Sequence, residues 1–486
     1  MSRDNITGAD LSPTRRPKHV AGAECSRAAW FVAGLLCLSF IGLLHDTENS
    51  GAVDDRTAEA GRGIEIDAKV EKNLTAMDTR RMYGLAGLTL VGAFCLQTAP
   101  QGVRIRFDAI WLLVLLGLAW ALASYTWSIE QRESFRELIR LFTFTAIGAA
   151  VARRFDPRTL CYILLIVFCG SVVTAVGVEI VAGNFRPWAS GYRLAGSLHS
   201  NMLGRHALIV GLIAFALARD CKPGHKWWLL MLAMCGIVWL TGSRTSMVTA
   251  AAGLFAVHAL GRPVRETLGY LSCGLTVAAA LLLGSIVTRQ WDSRAIQDAA
   301  SMGRGGDVTS FTGRLPLWQT IWHDLGRHDL KGAGYGAFWT VEETDSIASV
   351  LQWYPRHAHS AYLETIVNVG WIGLFFLVAA GLLAERRASQ LVRQTNWWEY
   401  RVLGALLIAG FVNGIAEAAF VLPRDLGLFV AATGFSLTMI HPRLATALEQ
   451  LAPRRAGQEN GSVRCVRRSH LGPALEAAKL RNPRTI

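Results

Sequence analysis

Long apolar runs separated by short polar segments dominate the chain. A helix needs about 20 apolar residues to cross a bilayer, and shorter runs can still do so where the bilayer adapts. About twelve runs approach this length: 28–44, 82–98, 109–127, 138–152, 159–182, 201–218, 226–240, 246–260, 268–287, 361–383, 402–420 and 426–440. The pattern predicts an all-α polytopic membrane protein with about 12 transmembrane helices. A mean hydropathy of +0.30, with only 17% charged residues, is typical of that class.

The longest polar interruption covers residues 289–360, between two of the apolar runs. Within it, Pro316 suits the first turn of a helix, and Leu317, Trp318, Ile321 and Trp322 then fall on one face. The spacing predicts a short surface helix, with its tryptophans in the lipid headgroup region. We therefore expect residues 289–360 to form a long loop on the water side of the membrane domain.

Lysine and arginine collect in alternate loops, and this distribution predicts the orientation. If every run crosses the membrane, the basic loops and both termini share one side, which is then the cytoplasm. The net charge of +13 is explained in this way, so we expect no binding of nucleic acid. The predicted organisation is a basic leader (1–27), a signal anchor with a polar outer loop (28–81), a membrane domain (82–441) containing the loop 289–360, and a basic cytoplasmic tail (442–486).

Arginines recur at the outer ends of the predicted spans, in loops that are distant in sequence. They are Arg186, Arg193, Arg244 and Arg314. A planar guanidinium donates two parallel hydrogen bonds to phosphate oxygens and stays charged, so these residues suit a diphosphate ligand. The alternative is that each one only places its charge in the membrane interface.

His359 is the candidate base, because an imidazole can accept a proton from an attacking hydroxyl at the mouth of a span. A purely structural, hydrogen-bonded histidine is the alternative. His357 and His359 could also bind zinc, but no third ligand accompanies them at a suitable spacing. We therefore expect no metal.

Several short motifs occur in an order that resembles a known family. His359-Ser360, nine residues and then Gly-x-x-Gly at 370–373 is similar to a signature of the O-antigen ligase and polymerase superfamily, which includes bacterial protein O-oligosaccharyltransferases. Gly-Arg-Leu-x-Leu-Trp at 313–318, Gly-x-Gly-x-Gly-Ala-Phe-Trp at 332–339 and Gly-Ser-Arg-Thr at 242–245 resemble its other landmarks. The segment 196–204 resembles one in the exopolysaccharide polymerase branch.

The resemblance implies a multi-pass glycosyltransferase of the bacterial inner membrane with a periplasmic active site. Its donor would be a glycan on undecaprenyl diphosphate and its acceptor a glycan hydroxyl, with no cofactor. Membrane lipids and polysaccharide-assembly proteins would be its other partners. The implied catalytic residues are His359, Arg244 and Arg314. The residues expected to bind substrate are Arg193, Arg186, Asn201, His199, His357, Tyr335 and Trp339.

Three functions remain open at this stage. A polymerase would join lipid-linked repeat units into exopolysaccharide or O-antigen. A ligase would pass finished glycan to the lipid A core or to protein, with the same donor chemistry. A transporter or flippase of lipid-linked sugar would need ionisable residues within the spans, and Glu179, Glu364 and Glu417 lie in or near apolar runs.

Overall fold

The protein is an all-α membrane protein. The computed structural model describes residues 85–267, 314–324 and 330–450, apart from 190, 223, 264, 352, 356, 420 and 422–426. The predicted leader, the signal anchor with its outer loop, the span 268–287 and most of the tail lie outside the described residues. So do residues 289–313 of the predicted loop.

Helices connected by short loops make up most of the described chain. The first seven are Leu85–Gln97 (α1), Ala109–Ala123 (α2), Gln131–Arg154 (α3), Pro157–Val181 (α4), Ser200–Asp220 (α5), His225–Leu240 (α6) and Arg244–Ala259 (α7). The later ones are Arg314–Asp324 (α8), Val341–Leu351 (α9), Ala361–Thr395 (α10), Trp398–Gly414 (α11) and Gly427–Ser436 (α12). Two-residue strands Arg104–Ile105 (β1) and Met439–Ile440 (β2) pair antiparallel.

Four of the described helical segments are long and apolar enough to span a bilayer. They are Ala109–Trp127, which joins α2 to a short 3-10 turn, and helices α4, α5 and α10. The apolar helices α1, α6 and α12 are shorter. The helical class is thus confirmed, whereas the total of about 12 spans stays a prediction.

Helix α5 lies at the centre of the core. Almost all of its residues are buried, and it packs against α4, α6, α7 and α11. Helix α2 is more apolar than α5, yet it exposes Leu112, Leu115, Leu116 and Leu122. An exposed leucine-rich face on a long apolar helix suits contact with lipid. The burial pattern therefore separates a central helix from a peripheral one.

The arginine-rich loops meet at one end of the helical bundle. Arg154 Nε donates to Thr98 Oγ1 at 3.1 Å, and Arg401 donates to the carbonyl of Leu260 at 2.9 Å. The pairing of β1 with β2 joins two further chain segments at this end. We call this region the basic end.

A second set of contacts joins the loops at the opposite end. The amide of Ile129 donates to the Ala333 carbonyl at 3.0 Å, and the amide of Leu194 donates to the Leu240 carbonyl at 2.9 Å. Loops far apart in sequence therefore meet here, at the end that carries the predicted site residues. We call this region the cap end.

The surface helix predicted at residue 314 is present as α8, but its apolar face contacts protein instead of lipid. Leu317 and Ile321 are fully buried against residues of the following loop and of α10. Trp318 Nε1 donates to the Ala358 carbonyl at 2.8 Å. Only Trp322 is exposed in the way that we expected. Helix α9, which the sequence reading did not predict, packs beside α8.

The two glycine motifs meet at a kink in α10. Gly370 interrupts that helix with φ of +70°, and a Cβ there would lie 2.1 Å from the Leu330 carbonyl oxygen. A Cβ on Gly332 would lie 2.5 Å from the Asn368 carbonyl oxygen. The amide of Gly334 donates to that same oxygen at 2.9 Å. Both motifs are therefore explained by close backbone contact.

We expect Gly370→Ala to destabilise the protein, because the left-handed conformation alone costs about 1–3 kcal/mol and the new methyl group would strike the backbone. The measurement is the thermal unfolding midpoint in detergent. Gly177→Ala is the matched control, because Gly177 is helical and a Cβ there meets nothing within 4 Å. Equal midpoints for the two variants would contradict the close contact at the kink.

Candidate functional site

The carboxylate of Glu417 is the centre of a buried polar cluster at the cap end. It lies just beyond α11 and is 7% exposed. Arg314 Nη2 donates to Oε1 at 2.7 Å and Asn201 Nδ2 to the same oxygen at 3.0 Å. Arg205 Nη1 lies 3.4 Å from Oε2. One acid thus holds residues from α5 and α8 together.

Arg193 joins this cluster through Asn201. Its Nη2 donates to Asn201 Oδ1 at 3.1 Å, and its Nε donates to the Thr241 carbonyl at 3.0 Å. Arg193 therefore links the loop before α5 to the loop before α7. Two guanidinium groups contact the Glu417 carboxylate, and that of Arg193 joins them through Asn201, so the cluster carries excess positive charge and favours an anion.

Arg244 is the first residue of α7, and this end of the helix lies beside the cluster around Glu417. Ser243 caps that helix, and its Oγ accepts from the amide of Ser246. The hydroxyl of Ser246 is 3.5 Å from the Asn201 carbonyl oxygen. The N-terminus of α7 thus lies beside Asn201, and a helix N-terminus itself favours an anion.

His359 is held by its neighbours in an unusual backbone conformation. Its φ is +49°, which is uncommon for a residue with a side chain. The carboxylate of Glu364 accepts from the Ala358 amide at 2.8 Å, and the hydroxyl of Ser360 donates to the Gly414 carbonyl at 3.4 Å. Strained conformations of this kind persist only where the surrounding structure imposes them.

The imidazole of His359 is neutral at physiological pH. Burial lowers its pKa to about 4; Glu417 opposes this shift, while Arg314 and His199 add to it. The value lies well below the near-neutral one on which the sequence reading relied. Its Nδ1 is buried and has no hydrogen-bond partner within the described part of the chain. A neutral imidazole can accept a proton, as a general base must.

Two neighbouring histidines lie beside His359 and Asn201. The rings of His357 and His359 are 4.1 Å apart between centroids, and His357 Nδ1 accepts from the His359 amide at 3.2 Å. His199 Nδ1 accepts from the Asn201 amide at 3.2 Å. Burial lowers the pKa of His199 as well, with Arg193 as the next cause. No group of three or more metal-binding side chains occurs among the residues that the structure describes.

Two of the predicted substrate-binding aromatics support the loop instead of entering the cluster. Trp339 Nε1 donates to the Glu364 carboxylate at 3.1 Å. Tyr335 donates its amide to Ser124 Oγ at 2.9 Å, and its ring packs in a small apolar cluster with Leu138. Their contacts explain a structural role.

Arg186 lies apart from the other predicted arginines. It is exposed in the loop before α5, and within the described ranges it makes no hydrogen bond or ion pair with Glu417. Glu179 anchors that loop, since its carboxylate accepts from the Tyr192 hydroxyl at 3.0 Å and from the Gly196 amide at 2.7 Å.

Glu417 and Arg205 are the members of the cluster to which the sequence reading gave no site role. Arg205 is 6% exposed within the mostly apolar α5. A lone arginine in a long apolar run was the available signal, because a charge in such a position needs a partner. The partner lies 212 residues away, which no local pattern indicates.

Comparisons with known proteins agree with the motifs. Residues 229–378 match the O-antigen ligase family. The chain is also similar to the exopolysaccharide production protein ExoQ of Rhizobium meliloti (strain 1021), with 25% identity over 369 residues that cover 70% of this chain and 80% of ExoQ. The resemblance to O-antigen ligases and polymerases is confirmed, and the protein is a bacterial membrane protein. Arg244, Arg314 and His359 lie within the matched residues, whereas Glu417 lies beyond them.

Proposed function

We propose that this O-antigen ligase/polymerase-like membrane protein polymerises oligosaccharide repeat units carried on undecaprenyl diphosphate. The reaction would take place at the periplasmic face of the inner membrane and would produce exopolysaccharide or O-antigen. The observation that carries the proposal is the cluster in which Arg314 and Arg205 pair with Glu417, with a neutral His359 in its electrostatic field. The similarity to ExoQ favours exopolysaccharide.

The donor diphosphate would bind at the cationic cluster. Arg314, Arg193 and Arg244 are the proposed donors of hydrogen bonds, and Arg186 is a candidate to assist from the adjacent loop. Fixed guanidinium groups stabilise the charge that develops on a diphosphate leaving group, and they need no reorganisation as the bond breaks. No metal ion is required in this scheme.

An open apolar pocket adjoins the cluster and would suit the lipid part of the donor. It is lined by Phe168 and Phe429, with Arg205 and Asn413 among its few polar residues. Arg205 also contacts Glu417, so the cavity meets the charged cluster at this side chain. A polyprenyl chain could lie against the aromatic wall while its diphosphate faces the arginines.

His359 would act as the general base in an in-line displacement. An acceptor hydroxyl attacks the anomeric carbon of the donor glycan while His359 takes the hydroxyl proton. The bond between the anomeric carbon and the diphosphate oxygen breaks, and its electron pair leaves with the lipid diphosphate. Asn201, His199, His357, Tyr335 and Trp339 are the remaining residues that we propose for binding or positioning substrate.

A ligase and a flippase are the two alternatives to this proposal. A ligase would use the same donor site with a lipid A core or protein acceptor. A flippase needs ionisable groups along a path through the membrane. Glu179 accepts from a loop amide, Glu364 accepts from the Ala358 amide, and Glu417 binds Arg314, so all three acids already bind groups at the cap end. This arrangement favours an enzyme that works at one membrane face.

The test is deletion of the gene in its host, followed by complementation. We expect the deletion to abolish long polysaccharide while single repeat units persist, and the wild-type chain to restore polymer length. Arg314→Gln should reduce restoration at least about tenfold, since a hydrogen bond to a charged group contributes about 1.5–3 kcal/mol. His323→Gln is the control, because His323 is exposed on the same helix. Intact long chains left on the carrier would instead indicate a ligase.

A further inference from the structure

A tryptophan outside the sequence motifs lies against the proposed base. Trp353 belongs to the segment between α9 and α10, and its ring centroid is 5.9 Å from that of His359, with the two rings tilted by 59°. The ring of His357 lies 4.1 Å from the same imidazole. This segment therefore places an aromatic ring and a second imidazole beside His359.

The apolar cluster of the cap end holds Trp353 in position. The cluster contains the buried side chains of Leu317, Ile321 and Phe338, and Trp353 packs against it while part of its surface stays exposed. Packing alone would be satisfied by a fully buried ring. A fixed aromatic surface that is still partly open, next to a group proposed for catalysis, is typical of the wall of a ligand site.

The donor cluster reaches His359 through α8 and the end of α11. The hydroxyl of Ser360 donates to the carbonyl of Gly414 at 3.4 Å, and Gly414 ends α11 shortly before Glu417. Arg314, the first residue of α8, donates to the Glu417 carboxylate at 2.7 Å. The proposed diphosphate site therefore adjoins His359 from these two elements.

Trp353 is not part of that donor cluster. In the described part of the chain, no hydrogen bond or ring contact joins it to Arg314 or Glu417. In an in-line displacement, the attacking hydroxyl and the leaving group lie on opposite sides of the anomeric carbon, and the base contacts the hydroxyl. A side chain that contacts the base and not the anion cluster is therefore placed for the acceptor.

A sugar ring suits the surface of Trp353. One face of a pyranose consists largely of C–H groups, which can cover an indole and remove apolar area from water. A ring in such contact lies about 4 Å from the indole. A hydroxyl at its edge then comes within reach of the His359 imidazole, whose centroid is 5.9 Å from that of Trp353.

We propose that Trp353 is the stacking wall of the acceptor subsite, and that its ligand is the neutral sugar residue whose hydroxyl His359 deprotonates. The inference rests on the glycosyl transfer proposed above and adds the side chain that orients the acceptor. The sugar lies with its C–H face on the indole and its reacting hydroxyl towards the imidazole. Trp353 exchanges no proton, so its loss should weaken acceptor binding more than it slows turnover.

The test uses the full chain in detergent, with the carrier-linked repeat unit as donor. The acceptor probe is the free repeat-unit oligosaccharide, released from its carrier by mild acid. Initial rates are measured against the concentration of each substrate while the other is saturating. The variants are Trp353→Leu, which keeps an apolar side chain against the cluster, and Trp353→Phe, which keeps an aromatic ring.

Trp322→Leu is the matched control for the loss of a tryptophan. Trp322 is 57% exposed on α8, and its ring contacts that of Trp371 at 6.2 Å between centroids. It makes no ring contact with His359 among the described residues. Both KM values of Trp322→Leu should therefore match those of the wild-type chain.

Trp353→Leu is expected to raise the acceptor KM at least about tenfold and the donor KM less than about twofold, because truncating an aromatic anchor weakens the binding of its own ligand. Trp353→Phe should raise the acceptor KM only about threefold, since a smaller ring still stacks. An acceptor KM unchanged in both variants would overturn the proposal. A rise confined to the donor KM would also overturn it, because the donor glycan would then lie on Trp353.

A binding measurement separates this inference from the proposed function. The oligosaccharide is titrated against the thermal unfolding midpoint of the wild-type chain and of each Trp353 variant, because a ligand that binds the folded state raises the midpoint without any transfer. A rise that Trp353→Leu loses supports the sugar site even if no transfer occurs, which would count against polymerisation alone. No rise and no transfer with the wild-type chain would overturn the acceptor subsite. If Trp353→Leu fails to fold, Trp353→Phe decides, and wild-type affinity in that variant would reject the stacking wall.

Discussion

His359→Asn is expected to lower the rate of glycosyl transfer by about 10²- to 10⁴-fold while the protein stays folded. Asparagine is the best replacement here, because it tolerates the left-handed conformation that His359 adopts with φ of +49°. It also lacks a group that can accept and release the hydroxyl proton. The measurement is the initial rate with purified lipid-linked donor and glycan acceptor in detergent.

The pH dependence of the wild-type rate separates a buried base from an exposed one. Because burial lowers the pKa of His359 to about 4, the imidazole is already unprotonated at pH 6. Titration of His359 should therefore not change the rate between pH 6 and 8, and should reduce it only as the pH falls towards 4. A fall centred near 6.5 would contradict the buried, neutral base.

Two further results would limit or defeat the assignment of His359. The exposed His323, changed to asparagine, is the matched control and should keep wild-type turnover. If His359→Asn also keeps it, His359 is not the base. Thermal midpoints for both variants show whether a lost rate reflects lost chemistry or lost folding.

The helical fold could be predicted because a membrane helix leaves a long apolar run in the sequence. The predicted run 201–218 corresponds to α5 at Ser200–Asp220, and 159–182 corresponds to α4 at Pro157–Val181. What an apolar face touches is less predictable. Leu317 and Ile321 have the spacing of a lipid-facing stripe, yet they are buried in protein. Hydrophobicity indicates that a face leaves water and does not indicate which apolar surface receives it.

The candidate site could be predicted in part. The sequence motifs predicted Arg314 and His359. Arg193 was predicted because arginines recur in the loops at the outer ends of the predicted spans. Glu417 was noted only as an acid in an apolar run, because its ion pairs with Arg205 and Arg314 span 212 and 103 positions. A contact between residues so far apart depends on how the helices pack. The local spacing of residues in the sequence does not indicate such a contact.

Glu417→Gln is expected to lower the free energy of unfolding by about 3–5 kcal/mol, since removing one partner of a buried ion pair leaves the other charge uncompensated. The carboxylate that Arg205 and Arg314 share would become a neutral amide. Chemical denaturation in detergent measures the change. Glu133→Gln is the control, because Glu133 pairs with Arg136 where both side chains are about half exposed, and such pairs contribute about 0–1 kcal/mol.

The stability lost in Glu417→Gln should be largest at neutral pH and smaller at low pH. Burial raises the pKa of Glu417, but the charges of Arg205 and Arg314 outweigh burial and hold it below its ordinary value. A carboxyl whose folded pKa is lowered contributes stability above its unfolded pKa of about 4.3 and loses it as the pH falls through the folded pKa. The difference between wild type and Glu417→Gln should therefore be full at pH 7 and shrink below about pH 4.

A double variant decides whether the buried pair causes the loss. Changing Arg205 to methionine in the Glu417→Gln background removes the charge left behind, so part of the stability should return. A double variant as unstable as the sum of its single changes would show that Arg205 and Glu417 act independently. In that case the ion pair between Arg205 and Glu417 would not be the cause of the stability lost in Glu417→Gln.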